Sequence, residues 1–208
     1  METRRITVLS AGLGVPSSSR LLADQLAASA ERQLTEAGYR VITDVVELRD
    51  LAVDIANNFV TGYAAPRLAD VVSGVQASHG IIAVTPVFSA SYSGLFKSFI
   101  DILDPKALGG KAVLLGATGG TDRHQMVLDY AMRPLFSYLR TRIAATGVFA
   151  GPQDWGNTNE GSSPLSDRIT RAAGEFAGLL QGSQPAPKPA VSASLPFEQL
   201  LAGISGGQ

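Results

Sequence analysis

Short apolar, β-branched runs alternate with segments of helical period along most of this sequence. That alternation constrains the fold more than any other feature. The runs lie at residues 6–9, 39–48, 80–85, 111–116 and 143–150. Between them, residues 17–37 place Leu21, Leu22, Leu26, Ala30 and Leu34 three to four apart, the stripe of an amphipathic helix, and Gly38 follows as its stop. Further helices are expected over 67–77, 93–103, 121–140 (with Pro134 inside it) and 164–180, and residues 50–66 read as a long excursion. The run 80–85 is apolar on both faces, as in parallel strands covered on both sides. Five strands separated by helices predict an α/β fold, a three-layer doubly wound parallel sheet with order 2-1-3-4-5. A six-stranded dinucleotide-binding sheet is the rival, and the strand count disfavours it. Ligands of such sheets bind at the carboxyl ends of the strands, near the point where the order reverses. The loops after Leu9, Val84 and Gly116 are therefore the places to look.

Composition narrows the chemistry. The chain has 208 residues, long enough to bury a core without staples. It has no cysteine, which removes thiolate nucleophiles, iron–sulfur clusters and redox disulfides. Redox chemistry would have to come from a bound organic cofactor. Two histidines, His79 and His124, exclude a three-histidine metal site, and no metal site is expected. The net charge of −1 carries no basic excess for nucleic acid. No apolar run reaches the roughly 18 residues of a membrane span, and the N-terminus reads as a strand rather than a signal peptide, so the expected address is the cytoplasm.

Each of the three loops has its own character. Residues 10–20, Ser-Ala-Gly-Leu-Gly-Val-Pro-Ser-Ser-Ser-Arg, put hydroxyls and two glycines at a helix N-terminus, where free N–H groups and the helix dipole favour phosphate. They match neither a P-loop nor the three-glycine dinucleotide fingerprint. Simple capping by the serines is the competing reading. Residues 85–94, Thr-Pro-Val-Phe-Ser-Ala-Ser-Tyr-Ser-Gly, set Phe88 and Tyr92 at the mouth of the sheet, either as the wall of a planar ligand's site or as ordinary packing. Residues 116–124, Gly-Ala-Thr-Gly-Gly-Thr-Asp-Arg-His, offer small residues against which a flat ligand can lie. His124 reads as a helix-start histidine rather than a base, and His79 as structural or exposed. No Gly-x-Ser-x-Gly elbow is present, which weakens a hydrolase reading.

Taken in order, the three loops resemble the NADPH-dependent FMN reductases of the flavodoxin-like superfamily, the kind that supply reduced flavin to two-component monooxygenases. The carrying residues are 9–20, 85–97 and 117–120. The run 128–135, Leu-Asp-Tyr-Ala-Met-Arg-Pro-Leu, resembles the long helix of sulfonate-linked flavin reductases. The similarity spans about residues 4–180. It implies a flavodoxin-like fold, FMN as the flavin and NADPH or NADH as hydride donor. It also implies a homodimer or homotetramer and a flavin-dependent monooxygenase as partner. By position, Ser10, Ser17, Ser18 and Ser19 match the FMN phosphate loop. Pro86, Val87, Phe88, Ser89, Ala90 and Ser91 match the segment lining the isoalloxazine ring. Thr118, Gly119 and Gly120 match the loop at the ring's other edge. Leu13 stands where the family often has an arginine, which leaves Arg20 as the loop's cation, and Phe88 stands where a tyrosine is common. No side chain is assigned as a catalytic acid or base, because the flavin carries the chemistry.

Three other readings stand beside this one, among them a ligand-sensing module that binds flavin or nucleotide without hydride transfer. A quinone, azo-dye or chromate reductase would share the fold. A non-enzymatic flavodoxin-type carrier would show a strongly acidic docking face, of which the net charge gives no sign. Two segments are expected, a flavodoxin-like FMN reductase domain over 1–180 and a C-terminal tail over 181–208. The tail begins with a Pro-rich tether at 181–190 and continues into a short amphipathic stretch at 195–204.

Overall fold

A computed structural model describes residues 1–155 and 165–182. The chain runs β1 (Thr3–Ser10), α1 (Ser18–Glu36), β2 (Arg40–Glu47), a 3-10 turn at Leu48–Leu51, α2 (Ala52–Thr61), α3 (Pro66–Ala77) and β3 (Gly80–Phe88). It continues through β4 (Ser91–Tyr92), α4 (Gly94–Asp101), α5 (Pro105–Leu108), β5 (Ala112–Thr118), β6 (Arg142–Ile143) and β7 (Val148–Ala150), ending in α7 (Leu165–Gln181). Between β5 and β6 lie a 3-10 turn at Asp122–Met126, a π turn at Leu128–Met132 and α6 (Arg133–Tyr138). A 3-10 turn at Pro152–Trp155 follows β7.

The strands form one sheet in the order β2-β1-β3-β5, with β6 and β7 both on the far edge of β5. All pairings are parallel except the short hairpin of β3 with β4. This is the expected doubly wound order, with β5 as the fourth principal strand and β6 and β7 as two pieces of the fifth. Alternation along the strands sorts the core into two layers, because neighbouring side chains point to opposite faces. Ile82 and Val84 pack beneath α1 and α7 with Leu22, Leu26 and Phe176. Ile81 and Ala83 pack on the other face with Phe96, Phe99 and Phe136. Gly80 lets α7 lie close: a Cβ there would stand 2.8 Å from Phe176 Cζ.

The sequence expectations needed four corrections. Within the excursion at 50–66 there is a helix, α2, buried through Ile55. The helix expected over 121–140 is broken. Pro134 has no N–H to donate to the Tyr130 carbonyl, and the turn before it loosens to a π bond from Arg133 N to Leu128 O. The fifth strand is interrupted at 144–147. There Thr146 donates its N–H and hydroxyl to Glu175 of α7, at 2.6 and 2.8 Å, and Arg133 donates to the carbonyls of Ala144 and Ala145. The hairpin β3–β4 was not anticipated. Its two-residue turn, Ser89-Ala90, has φ of 49° and 65°. The amphipathic stretch at 195–204 and nearly all of the tail lie outside the described residues.

Candidate functional site

An open cleft of about 510 Å³ lies at the carboxyl ends of β1, β3, β5 and β7. Three chain segments that the sequence separates by many residues build its floor and walls. The first is the loop between β1 and α1, folded tightly on itself. A Cβ on Gly12 would stand 1.9 Å from Ser17 Oγ, so only glycine fits there. Ser17 caps α1, its hydroxyl accepting from the Arg20 N–H at 3.2 Å. Leu21 N–H bonds the Ser17 carbonyl, which leaves the N–H groups of Ser18 and Ser19 ahead of the first helical bond. Both residues line the cleft. Ser19 is buried and its Oγ lies 2.7 Å from Thr118 Oγ1, a side-chain bond that ties this loop to the end of β5. Ser18 is exposed, so its hydroxyl is the free one of the three.

The second segment is the end of β3, contributing Pro86, Val87 and Phe88. Phe88 is 48% exposed, a large ring left uncovered beside the cleft. Tyr92 turns the other way, packing on Phe96 with ring centres 5.8 Å apart. Ser93 caps α4 and is anchored by Thr85, whose hydroxyl accepts the Ser93 N–H at 3.0 Å. The third segment is Thr118, Gly119 and Gly120. A Cβ on Gly119 would lie 3.0 Å from Phe149 and 3.1 Å from His124, so the backbone is bare there because its surroundings are full.

A fourth contribution comes from Pro152 and Trp155, in the 3-10 turn after β7. Asp154 holds this turn by accepting from Gly151 N–H at 2.9 Å and pairing with Arg168 of α7. Sequence reasoning missed Trp155. The available signal was that the chain's single tryptophan follows the fifth strand at its carboxyl end, where ligands of such sheets gather.

Of the residues singled out from sequence, the cleft brings together Ser17, Ser18, Ser19, Pro86, Val87, Phe88, Thr118, Gly119 and Gly120. Ser89, Ala90 and Ser91 sit beyond its rim in the hairpin. Ser10 ends β1, buried, with its Oγ lacking a partner. Arg20 points away, its guanidinium held by Asp24 at 2.8 Å and Glu47 at 2.6 Å. His124 packs against Gly119 from outside the lining. His79 stands at the opposite end of the sheet, its Nδ1 accepting the Arg5 N–H at 3.0 Å, and burial lowers its pKa. Among the described residues, no titratable side chain lines the cleft. Its walls offer N–H groups, hydroxyls, glycine backbone and two aromatic rings. Such walls can bind and orient, and they have no proton to give or take.

A sequence profile described as NADPH-dependent FMN reductase matches residues 4–156. The chain is 34% identical over 178 residues to "FMN reductase (NADPH)" of Pseudomonas aeruginosa, covering 86% of this chain and 93% of that protein. It is 32% identical over 183 residues to "NADH-dependent FMN reductase SfnF" of Pseudomonas fluorescens, covering 88% and 95%. Among solved structures, an oxidoreductase from Corynebacterium diphtheriae superposes with a TM-score of 0.84 at 40% identity, over 88% of this chain and all of that one.

Proposed function

The chain belongs to the NADPH-dependent FMN reductase family, and from that premise we propose that its cleft holds FMN and NADPH or NADH in turn contact, as a flavin reductase whose reduced product goes to a monooxygenase. The observation that carries the reading is the lining itself. It joins an open helix N-terminus to two bare glycines and two aromatic rings, with no acid or base among the described residues. Hydride transfer between nicotinamide and flavin asks for this and no more.

The residues fit a flavin mononucleotide. The first-turn N–H groups of Ser18 and Ser19, with the Ser18 hydroxyl, present donors to a phosphate at the positive end of a helix dipole. The orphaned Ser10 Oγ lies at the root of the same loop. Gly120, with open space where a Cβ would stand, leaves room for a ring to approach the backbone, and Phe88 and Trp155 offer apolar faces to flank it. When bound, FMN supplies the hydride-accepting ring. The protein's part is to fix the phosphate, align the ring plane and keep one face open to the nicotinamide. Among the described residues the lining carries no cation, so their grip on the phosphate rests on neutral donors and the helix dipole. A grip of that strength suits a flavin that leaves after reduction, which supports the supply of reduced flavin to a partner enzyme. We assign the whole reductase unit to residues 1–180, with the tail at 181–208 outside it.

Mixing the protein with FMN and either nucleotide under air tests the reading. The expected result is steady loss of the reduced nicotinamide absorbance, dependent on flavin, with FMN binding more tightly than riboflavin. Absence of oxidation with both nucleotides, in protein that binds FMN, would overturn it.

A further inference from the structure

Arg49 follows β2 in the 3-10 turn at Leu48–Leu51, far from the glycine loop in sequence, yet its Nη1 donates to the Gly14 carbonyl at 2.6 Å. Gly14 lines the cleft. The guanidinium is itself fixed from behind. Its Nη2 meets Glu47 Oε2 at 2.6 Å and its Nε approaches Asp50 at 3.7 Å. The other oxygen of Glu47 takes Arg20 Nη1 at 2.6 Å. One carboxylate, 17% exposed, therefore bridges the first turn of α1 and the arginine that holds the loop.

We propose that Arg49 is a positioning residue for phosphate recognition, holding the 12–16 loop in its binding shape through the Gly14 carbonyl, with Glu47 as the brace that aims it. A peptide unit is planar, so fixing one carbonyl fixes the direction of the N–H that follows it. Nothing else in the loop's centre is tied down as firmly. Gly12 is seated against Ser17, and Ala11 N–H bonds the Val84 carbonyl at 2.9 Å, but between Gly12 and Pro16 the Arg49 bond is the one long-range polar tether among the described residues. Among the described residues no cation lines the cleft, and there the loop's geometry supplies what charge does not. This rests on the reading of the loop as the phosphate site.

The test compares FMN and riboflavin binding, steady-state kinetics and thermal stability for wild type, Arg49→Ala, Arg49→Lys and Glu47→Gln. The bond is made within the protein, so it acts on affinity through the fraction of loop held in the binding shape, and a loss of roughly tenfold is the expected scale. Arg49→Ala is expected to raise the FMN dissociation constant by about that factor, to leave riboflavin within about twofold, and to raise KM for FMN while kcat at saturating flavin holds. Arg49→Lys, which keeps a donor, restores part of the loss. Glu47→Gln separates positioning from bare charge. It frees positive charge beside the loop yet removes the brace, so it weakens FMN binding if Arg49 acts by position. Tighter FMN binding in Glu47→Gln, or an unchanged FMN preference in Arg49→Ala, would overturn the proposal while leaving the phosphate reading intact. Equal affinity of the wild type for FMN and riboflavin would overturn both.

Discussion

Lys111 stands at the amino end of β5, the end of the sheet remote from the cleft. Its side chain is buried, and Nζ donates to the carbonyls of Gln76 and Ser78 at 2.7 and 2.6 Å, closing the last turn of α3. Burial pushes its pKa down to about 8. In the unfolded chain a lysine titrates near its usual value of about 10.4. Between those values the unfolded chain holds a proton that the folded chain lacks, so stability rises with pH across that window. The neutral amine still has N–H groups for both carbonyls, and deprotonation need not break the contact. The expected outcome is a gain of roughly 3 kcal/mol in unfolding free energy between about pH 8 and pH 10.4. Denaturant titrations should show this gain in the wild type and not in Lys111→Met. An equal slope in both proteins would place the proton elsewhere. Sequence reading saw in Lys111 only the start of a strand, because its partners lie more than thirty residues away. The same holds at the cleft. The serine run was legible as a cap or a phosphate loop; Ser17 serves as the cap, Ser19 is spent on Thr118, and Ser18 is left free.

At the scale of elements, the hairpin joining β3 and β4 carries a local conflict. A two-residue hairpin turn with both φ positive is the type I′ geometry, which favours Asn-Gly. Here Ser89 and Ala90 occupy it, with φ of 49° and 65°. An L-residue in the left-handed region costs about 1 kcal/mol or more. The turn persists because its ends are held. Val87 and Phe88 pair with Tyr92 and Ser91, Tyr92 packs on Phe96, and Ser93 is bound to Thr85. Replacing both turn residues, Ser89→Asn with Ala90→Gly, should raise stability by about 1 kcal/mol, read as a higher denaturant midpoint at unchanged slope. A lower midpoint would mean that other contacts of Ser89 and Ala90 outweigh the backbone strain. The break between β6 and β7 is the opposite case. The residues at 144–147 leave the ladder, yet the Ala144 N–H and carbonyl, the Ala145 carbonyl and the Thr146 N–H are satisfied by the Val113 carbonyl, Arg133 and Glu175. A buried backbone group needs a partner of some kind, and side chains from α6 and α7 provide it. The run at 143–150 reads as one continuous strand because those partners are remote from it in sequence.

For the whole molecule, every residue that lines the cleft among those described lies before position 156, while α7 closes the face beneath it through Ile169, Ala173, Phe176 and Leu180. Arg4 is buried beneath Tyr39 and donates to the Leu180 carbonyl at 2.8 Å, so the end of α7 is part of the core. Removing residues 183–208 should therefore leave melting temperature, FMN binding and turnover nearly unchanged. Loss of flavin binding with circular dichroism intact would show that the tail covers the site. Among the described residues, no helix is long and apolar enough to cross a membrane. The amino-acid sequence by itself determined the parallel sheet, its order and the three loops at its carboxyl edge. Strand and helix periods, and the glycines and serines between them, are properties of adjacent residues. Tertiary structure alone decided which hydroxyls remain free, that Arg20 is also held by Glu47, that Trp155 lines the cleft and that Arg49 holds Gly14. Those outcomes depend on partners far apart in sequence, 99 residues in the case of Ser19 and Thr118, and no local pattern encodes a contact that exists only once the sheet has brought its strand ends together.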